Sequence, residues 1–281
     1  MKQLRGAEVS AAIKEQVTEI LGKWEGEIPK LGIIRVGDRP DDISYERGAV
    51  KRMEEFGLRV QSYVFPEEIC GEAFKEAFRN INQDPDVAGI LLLRPLPKQI
   101  QEKEIEAMID PGKDLDGISP DNVAKVFAGD STGFAPCTAE AVVEVLKAFD
   151  IPIAGKRVTI VGRSMVVGRP LSMLLLQEHA TVTICHTRTQ DLAAACQNAE
   201  ILIGAAGKAK MLDGSYVGRD AVVIDVGINV DENGRLCGDV DLESVTEKAS
   251  MATPVPGGVG AVTTAVLAKH LVRAAQTGRN A

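Results

Sequence analysis

The residues of this chain that are best placed to do chemistry form a glycine-rich turn in its second half. Gly162 follows the apolar run Val158–Val161, and Gly168 comes six residues later, at the start of a helical pattern. Such a turn can hold a phosphate, because unpaired backbone N–H groups and the helix dipole face the anion. The spacing differs from the common Gly-x-Gly-x-x-Gly fingerprint. We interpret the segment as a nucleotide cradle; the alternative is a tight turn with a small-residue helix contact.

The end of the next predicted strand indicates which nucleotide the cradle would hold. Folds that prefer NAD usually carry an acidic residue there, which binds the ribose 2′-OH. This chain instead has the run Cys185-His186-Thr187-Arg188-Thr189. Arg163, Arg188 and the Thr187 hydroxyl could hold a 2′-phosphate through charge-assisted hydrogen bonds, so the sequence favours NADP. The alternative for Arg188 is a solvated loop charge.

A second glycine-rich segment, Thr253–Gly260, lies near the C-terminus and has the sequence Thr-Pro-Val-Pro-Gly-Gly-Val-Gly. It contains too many glycines and prolines for the interior of a helix or strand. It is therefore either a rigid turn or a wall that lets the backbone approach a flat ligand. Together, the two segments suggest a nucleotide-dependent enzyme with a second ligand beside the nucleotide.

Bulk properties exclude several classes of protein. The net charge of −8 argues against a nucleic-acid or anionic-membrane surface. No apolar run approaches the ~20 residues that span a bilayer, and the first residues lack the apolar core of a signal peptide. The five cysteines and three histidines are scattered without metal-ligand spacing. We expect a cytoplasmic protein without a metal site, a membrane or a nucleic-acid partner.

Helices and strands alternate along the chain, which predicts parallel sheets flanked by helices, an α/β fold. We expect two domains: residues 1–146 together with a C-terminal helix at about 261–281, and residues 147–260 as a Rossmann-like domain. The C-terminal helix is expected to pack back on the first domain. The predicted helices are 9–22, a helix capped by Asp41, Asp42 or Ser44 and ended by Gly57, then 71–82, 101–109 and 261–275. The predicted strands are 31–36, 60–65, 88–93, 157–161, 181–185, 200–204 and 221–226.

Several motifs, in one order over nearly the whole chain, carry a resemblance to a known family. They are Val36-Gly37-Asp38, Tyr45, Pro95-Leu96-Pro97, Lys113-Asp114-x-Asp116-Gly117, Pro136-Cys137-Thr138, Gly162-Arg163-Ser164-x-x-Val167-Gly168-x-Pro170, Thr181-Val182-Thr183-x-Cys185-His186, Asp225–Asn229, Gly238-Asp239-Val240 and Thr253–Gly260. With these motifs the chain resembles the methylenetetrahydrofolate dehydrogenase/methenyltetrahydrofolate cyclohydrolase family (FolD type). The resemblance implies two activities of one-carbon metabolism, which supplies purine biosynthesis. One is the NADP-dependent oxidation of 5,10-methylenetetrahydrofolate, and the other is hydrolysis of the methenyl product to 10-formyltetrahydrofolate.

The same resemblance implies a homodimer of two-domain subunits, with the folate in the cleft between the domains. The residues that it implies for the dinucleotide are Gly162, Arg163, Ser164, Thr187 and Ile228, and the glycine turn and the strand end described above add Gly168 and Arg188. The residues that it implies for the folate are Tyr45, Leu93, Asp116, Pro256, Gly257 and Gly258. Tyr45 and Asp116 are the expected catalytic residues: Tyr45 could stack on the ring system, and Asp116 could accept hydrogen bonds from the pterin. The alternatives are a helix packing residue for Tyr45 and a turn cap for Asp116.

Two positions depart from the family pattern together. The family pairs its tyrosine with a lysine four residues later, on the same helix face, but here Tyr45 is followed at that spacing by Ala49. Lys51 is six residues on, about 120° around the helix. The glutamine that would hydrogen-bond the lysine is replaced by Leu93. Arg94 is next to it, but strand alternation would point Arg94 to the other face.

These departures affect the two implied activities differently. Hydride transfer needs positioning and electrostatics but no proton acceptor. Hydrolysis needs a tunable acid/base, typically worth about 10²–10⁴-fold. We expect a dehydrogenase whose cyclohydrolase step is lost or much weakened. The alternatives are a full bifunctional enzyme that uses another group, a folate- and NADP-binding pseudoenzyme, and an unrelated Rossmann dehydrogenase.

Overall fold

The computed structural model describes the backbone of residues 1–280 and the side chains of residues 1–278. The helices are α1 Gly6–Gly22, α2 Pro40–Glu55, α3 Gly71–Gln83, α4 Glu102–Met108, α5 Pro120–Ala128, α6 Cys137–Ala148, α7 Gly168–Gln177, α8 Leu192–Gln197 and α9 Gly260–Asn280. The strands are β1 Lys2–Gln3, β2 Lys30–Val36, β3 Arg59–Phe65, β4 Val87–Leu92, β5 Arg157–Val161, β6 Thr181–Cys185, β7 Ile201–Gly204, β8 Val222–Asp225, β9 Asn229–Val230, β10 Leu236–Cys237 and β11 Met251–Ala252.

The chain divides into two compact units, which we name by their sheets. The three-stranded unit contains Ile13–Cys137 and the chain from Thr264 onward. The six-stranded unit contains Met1–Ala12 and Thr138–Thr263. The boundaries between the units fall inside helices α1, α6 and α9.

The three-stranded unit has a parallel sheet with strand order β3-β2-β4. Strand β2 is buried along its whole length, as expected for the central strand of a covered parallel sheet. Helix α2 packs against β2 and β3, and helix α3 packs against β4. The core includes Phe74 and Phe78 of α3, which lie one helical turn apart and are fully buried.

The six-stranded unit has the strand order β1-β11-β8-β7-β5-β6, and every pair in it is parallel. Helix α7 contacts β5 and β6, and helix α8 contacts β6. The buried core includes Val161, Leu202 and Val223 from three neighbouring strands. The predicted two-domain α/β fold with a Rossmann-like second sheet is confirmed.

The C-terminal helix α9 joins the three-stranded unit from Thr264 onward, which confirms that it packs back on the first domain. The imidazole of His270 is fully buried, and its Nδ1 lies 2.7 Å from the Leu115 carbonyl oxygen. The helix begins one residue before its predicted start and extends to Asn280, five residues beyond its predicted end. Ala281, which the prediction included, lies outside the described residues.

Other boundaries differ for identifiable reasons. The predicted caps of α2 are wrong: Arg39 is the N-cap residue, Pro40 takes the first helical position, and Asp42 binds the Arg39 guanidinium at 2.6 and 2.9 Å. Gly57 does adopt the left-handed conformation. Helix α5 was not predicted from the pattern of apolar residues. Its start is marked by Ser119, whose Oγ accepts the Asn122 N–H at 3.1 Å.

Within the described residues, no helix combines the length and apolar character that crossing a membrane requires.

Candidate active site

The predicted nucleotide cradle is held together by contact between its two glycines. Gly162 follows β5 with φ +139°, and its N–H donates to the Cys185 carbonyl oxygen at 2.9 Å. A Cβ on Gly162 would overlap the Ala205 carbonyl, and a Cβ on Gly168 would overlap the Gly162 carbonyl. The six-residue spacing therefore returns the start of α7 against the end of β5. Only glycine at both positions permits this approach.

The first turn of α7 faces the loop that contains Ser164. The Ser164 Oγ accepts the Val167 N–H at 3.1 Å, and Arg163 and Ser164 are both exposed beside it. Helix α7 has no acidic residue in its first turn, so the positive end of its dipole is not neutralised there. Two glycines that let a strand end approach a helix N-terminus fit the pyrophosphate of a dinucleotide.

The turn after β6 places Thr187 and Arg188 at the surface. The Arg188 N–H donates to His186 Nδ1 at 3.1 Å, and the His186 N–H donates to Thr189 Oγ1 at 2.8 Å. Among residues 1–278, no carboxylate forms a salt bridge with Arg163 or Arg188. Both guanidinium groups are thus available to an anion. Their assignment to a 2′-phosphate stays a prediction, and His186 serves the turn.

The predicted folate loop Pro256–Gly258 lies in the six-stranded unit. Pro256 and Gly257 are exposed, Gly257 has φ +98°, and a Cβ there would meet no atom within 4 Å. Gly258 is buried, and a Cβ on it would lie 2.5 Å from the Pro254 carbonyl oxygen. The loop therefore has the features of a rigid turn and of a backbone surface open to a ligand. Gly258 closes the tight turn, and Gly257 leaves its backbone uncovered. Ile228, on the loop after β8, leaves 66% of its surface exposed.

Tyr45 and Asp116 lie near each other in the three-stranded unit. Asp116 is half-buried, and its Oδ1 accepts the Cys137 N–H, at the start of α6, at 2.8 Å. Burial raises the pKa of the Asp116 carboxyl, and the Cys137 N–H opposes that rise. Burial, together with the neighbouring Cys137 and Asp116, raises the pKa of the Tyr45 phenol well above its usual value. Tyr45 is thus a phenol at neutral pH, able to donate a hydrogen bond but not to act as a base.

Neither position that departs from the family pattern offers an ionisable group. Ala49 is fully buried on α2, and Leu93, just beyond β4, is 7% exposed. The Lys51 ammonium is exposed and lies 3.9 Å from Glu55. Arg94 donates to Glu106 at 2.7 Å and lies 3.6 Å from Glu102, so its guanidinium is held by two carboxylates. Arg94 is thus paired with carboxylates, and its charge also stabilises the ionised Asp116 carboxyl, whereas the Lys51 ammonium stays in solvent.

The three-stranded unit also contains a cavity of about 1160 Å³ that includes none of the predicted site residues. It lies near the amino ends of β3 and β4, where Arg59 and Val87 line it, whereas Leu93 follows the carboxyl end of β4. Arg59 is paired there with Glu27 and Asp86 at 2.8 Å each. In parallel α/β sheets ligands bind outside the carboxyl ends of the strands. The cavity is therefore at the opposite end of the sheet from the predicted site residues, and the catalytic role of Tyr45 and Asp116 stays a prediction.

Together, the parallel six-stranded sheet and the glycine cradle define a dinucleotide-binding α/β protein. The model of the tetrahydrofolate dehydrogenase/cyclohydrolase NAD(P)-binding domain matches residues 136–279, and the model of the catalytic domain matches residues 4–116. The bifunctional protein FolD of Clostridioides difficile (strain 630) is 52% identical over 280 residues, covering 99% of this chain and 97% of that protein. The chain belongs to the tetrahydrofolate dehydrogenase/cyclohydrolase family.

Solved structures give the same result. The bifunctional FolD enzyme of Campylobacter jejuni is 39% identical with a TM-score of 0.94, and 99% of each chain is covered. The FolD of Trypanosoma brucei, solved with NADP cofactor and an inhibitor, is 33% identical with a TM-score of 0.92, over 99% of this chain and 98% of that one. These comparisons confirm the predicted family, and they rule out the unrelated Rossmann dehydrogenase.

Sequence reasoning missed two parts of the site. It did not identify the Cys137 N–H as a partner of Asp116, or any role for Asp225 and Asp239. The small-residue helix contact named as the alternative to the cradle is present, between Gly162 and Gly168. The signal for the first was Cys137-Thr138 opening an apolar helical pattern. The aspartates stood in quoted motifs, but only a structure shows which N–H groups they accept.

Arg163→Ala and Arg188→Ala should each weaken NADP binding by roughly 10–100-fold and NAD binding far less, because each removes a charge-assisted hydrogen bond worth about 1.5–3 kcal/mol. The measurement is kcat/KM with each dinucleotide. Arg157→Ala is the matched control, since this exposed arginine at the opposite end of β5 pairs with Glu200 at 3.3 Å. Equal losses with NADP and NAD would contradict a 2′-phosphate contact.

The buried carboxyl of Asp225 should make the stability of the chain depend on pH. Burial raises its pKa to about 6, against an ordinary value of about 3.9 in the unfolded chain. Between these values the folded state binds more protons, so this group's stabilisation is complete below about pH 4 and is lost as the pH rises to about 6, by at most about 1.4 kcal/mol per pH unit.

The measurement is urea denaturation of the wild type and of Asp225→Asn between pH 4.5 and 7. The wild type should gain stability relative to the variant on acidification, since the amide does not titrate. A difference that stays constant with pH would contradict the raised pKa.

Proposed function

We propose that this protein oxidises 5,10-methylenetetrahydrofolate to 5,10-methenyltetrahydrofolate with NADP as hydride acceptor, and that its cyclohydrolase step is lost or much weakened. The oxidation rests on family membership and on one observation, the Gly162–Gly168 cradle beside the two exposed arginines. The residues that would hold the dinucleotide are Gly162, Arg163, Ser164, Gly168, Thr187, Arg188 and Ile228. When bound, the nicotinamide ring supplies the site that accepts a hydride.

For the oxidation, the residues of the chain bind and orient. The Asp116 carboxylate, fixed by the Cys137 N–H, would accept hydrogen bonds from the aminopyrimidine part of the pterin. The Tyr45 ring would stack on the same ring system, and its phenol, which its raised pKa keeps protonated, would donate a hydrogen bond. The folate nitrogen lone pair stabilises the cation that forms as the hydride leaves. No side chain has to accept a proton, so this step can proceed without the family's lysine.

Hydrolysis of the methenyl cation makes a different demand. Water must lose a proton and a ring nitrogen must gain one, which calls for a group that titrates near neutral pH. Ala49 and Leu93 cannot supply it. The Arg94 guanidinium is paired with Glu106, and the Lys51 ammonium is exposed to solvent, about 120° around α2 from Tyr45. Arginine is also a poor proton carrier, because it stays charged. These observations support a dehydrogenase without an efficient second step.

A paired assay of the purified protein with 5,10-methylenetetrahydrofolate and NADP tests this proposal. NADPH and the methenyl chromophore are followed together. We expect NADPH to appear with an accumulating methenyl product. A methenyl level that never rises above its uncatalysed steady state would show instead a full bifunctional enzyme. Folate and NADP binding without NADPH formation would show a pseudoenzyme.

The bifunctional enzyme is the second candidate, because the relative from C. difficile bears the name bifunctional. It would require another proton carrier near Tyr45. In this chain the candidate is the Asp116 carboxyl, which neighbours Tyr45 and whose pKa is raised by burial. In the assay above, persistence of hydrolysis in the wild type and its loss in Asp116→Asn, with the oxidation retained, would favour this candidate.

Restoring the lysine should require two substitutions. Ala49→Lys alone places an ammonium at a fully buried position without the glutamine partner, so it should do little for hydrolysis and should cost stability. Ala49→Lys with Leu93→Gln should raise cyclohydrolase activity by tenfold or more over either single variant, measured as decay of the methenyl absorbance.

The matched control is Gly48→Lys, one residue earlier on the same helix, where a Cβ meets no atom within 4 Å. This lysine points away from Ala49 and should leave both activities unchanged. Equal hydrolysis by the single and double variants would count against the coupling of positions 49 and 93.

We also propose that the protein is a cytoplasmic homodimer whose product enters purine biosynthesis, as its resemblance to the family implies. The molar mass in solution, measured by sedimentation equilibrium, should be about twice the 30.0 kDa of the chain. A mass of one chain at micromolar concentration would refute the dimer.

Folate binding by Leu93 and by Pro256, Gly257 and Gly258 is likewise proposed, and loss of folate affinity in Gly257→Val would test it.

A further inference from the structure

Asp239 is a fully buried carboxylate to which the site described above gives no role. It follows β10, and its Oδ2 accepts the N–H groups of Ala206 and Gly207 at 2.6 and 3.0 Å. Its Oδ1 accepts the Lys208 N–H at 2.8 Å and the Asn229 side-chain amide at 2.9 Å. Three consecutive N–H groups that converge on one point form a nest, an arrangement that binds anions. Here the chain fills the nest with its own carboxylate.

Asp225, the last residue of β8, is a second buried carboxylate beside it. Its Oδ1 accepts the N–H groups of Gly227 and Asp239 at 3.0 Å each, and its Oδ2 accepts the Val240 N–H at 2.9 Å. Its own N–H donates to Thr253 Oγ1 at 2.7 Å. The Asp225 carboxylate therefore holds the segment that carries Asp239, and Asp239 in turn holds the loop after β7. The two side chains act as one unit.

Two glycines of the sequence motifs are explained by these carboxylates. A Cβ on Gly227 would overlap the Asp239 carboxyl group, and a Cβ on Gly238 would overlap the Asp225 carboxyl group. Neither glycine has a positive φ, so the requirement is space and not backbone conformation. Both carboxylates are packed directly against the backbone of a glycine, so neither side chain has room to adopt another conformation.

The loops fixed in this way lie at the edge of the sheet where a dinucleotide binds. Loop 205–208 follows β7, loop 226–229 follows β8, and β7 pairs with β5, whose end forms the cradle. Arg188, at the end of β6, lies on the other side of β5, where the adenosine phosphate is expected. The loops after β7 and β8 are thus on the nicotinamide side. Ile228 stands between two residues, Gly227 and Asn229, that the carboxylates hold.

We propose that Asp239 and Asp225 are positioning residues that set the shape of the loops Ala206–Lys208 and Gly227–Asn229 for the nicotinamide half of NADP. This inference rests on the proposed function for the identity of the cofactor. Because the nest is filled from within, it cannot take a phosphate of the ligand. Its shape is fixed before the cofactor binds, so little ordering free energy is lost on binding.

The test is titration of the purified protein with NADPH, followed by fluorescence, for Asp239→Ala and Asp239→Asn. Asp239→Ala leaves the N–H groups of Ala206, Gly207 and Lys208 and the Asn229 amide without this acceptor, so the loops lose four hydrogen bonds, and we expect the Kd for NADPH to rise at least tenfold. Asp239→Asn keeps one acceptor oxygen and should lie between that variant and the wild type. Sodium formate, a carboxylate small enough for the space left by the side chain, should restore at least half of the lost affinity of Asp239→Ala and leave the wild type unchanged.

Asp213→Asn is the matched control. Asp213 also accepts a backbone N–H, that of Ser215 at 2.7 Å, but it is exposed and caps the short 3₁₀ helix Gly214–Tyr216. Its NADPH affinity should equal that of the wild type. If Asp239→Ala does not fold, Asn229→Ala, which removes one of the four donors, takes its place and should raise the Kd at least threefold. An unchanged Kd in a folded Asp239→Ala, or in Asn229→Ala and Asp239→Asn together, would overturn the proposal, and so would an absence of formate rescue.

The outcome is distinguishable from failure of the proposed function. If the wild type binds NADPH but does not oxidise 5,10-methylenetetrahydrofolate, the folate proposal fails, and the Kd values still decide the role of Asp239. If the wild type oxidises the folate and the variants bind NADPH as it does, only the present inference fails. A raised KM for NADP with an unchanged KM for the folate would place the effect in the cofactor loops.

Discussion

The contact between Gly162 and Gly168 is the constraint on which the six-stranded unit depends for its function. It brings the first turn of α7 against the end of β5, so that a helix N-terminus and a strand end face the same space. Without a side chain at either position, the backbone N–H groups of the turn can point to a ligand phosphate. Ser164, Arg163 and the β6 turn add polar and positive groups around that space. The whole cradle follows from the absence of two Cβ atoms.

In the three-stranded unit, the feature that sets the properties of the predicted site is the burial of the Asp116 carboxyl. Asp116 is drawn partly out of water, which raises its pKa, while the Cys137 N–H at the start of α6 stabilises its charged form. Leu115, beside it, is tied to His270 of α9. The last helix of the chain therefore helps to hold the residue that is expected to bind the pterin. Helix α9 therefore supports the predicted site by holding Leu115 in place, and none of its own side chains is predicted to take part in the reaction.

The predicted absence of the family's lysine would affect the two reactions differently. Hydride transfer depends on orientation, which backbone and aromatic contacts supply, whereas hydrolysis depends on a proton carrier, which only a titratable group supplies. Burial of Ala49 and Leu93 shows that the positions are filled by packing. The predicted joint replacement of a lysine and its glutamine partner would avoid leaving either one buried and unsatisfied.

Much of the fold was predictable because parallel α/β units are specified by local patterns. The predicted strands 157–161 and 181–185 match β5 and β6 residue for residue. The two-residue strands β1 and β11 were not predictable, because they exist only by pairing with each other and with β8, far apart in sequence. Helix α2 was found, but its start was misplaced, because the Arg39–Asp42 pair took the carboxylate that was assigned to the cap.

By itself, the sequence determined the family, the two parallel sheets and the residue types that can meet a dinucleotide and a pterin, because glycine turns, apolar runs and motif order are local properties. Only the tertiary structure decided that Gly168 packs on Gly162, that Asp116 accepts a helix N–H and that Asp239 fills a backbone nest. These contacts join residues between six and about thirty positions apart, and the direction of a carboxylate depends on which N–H groups the fold leaves unpaired.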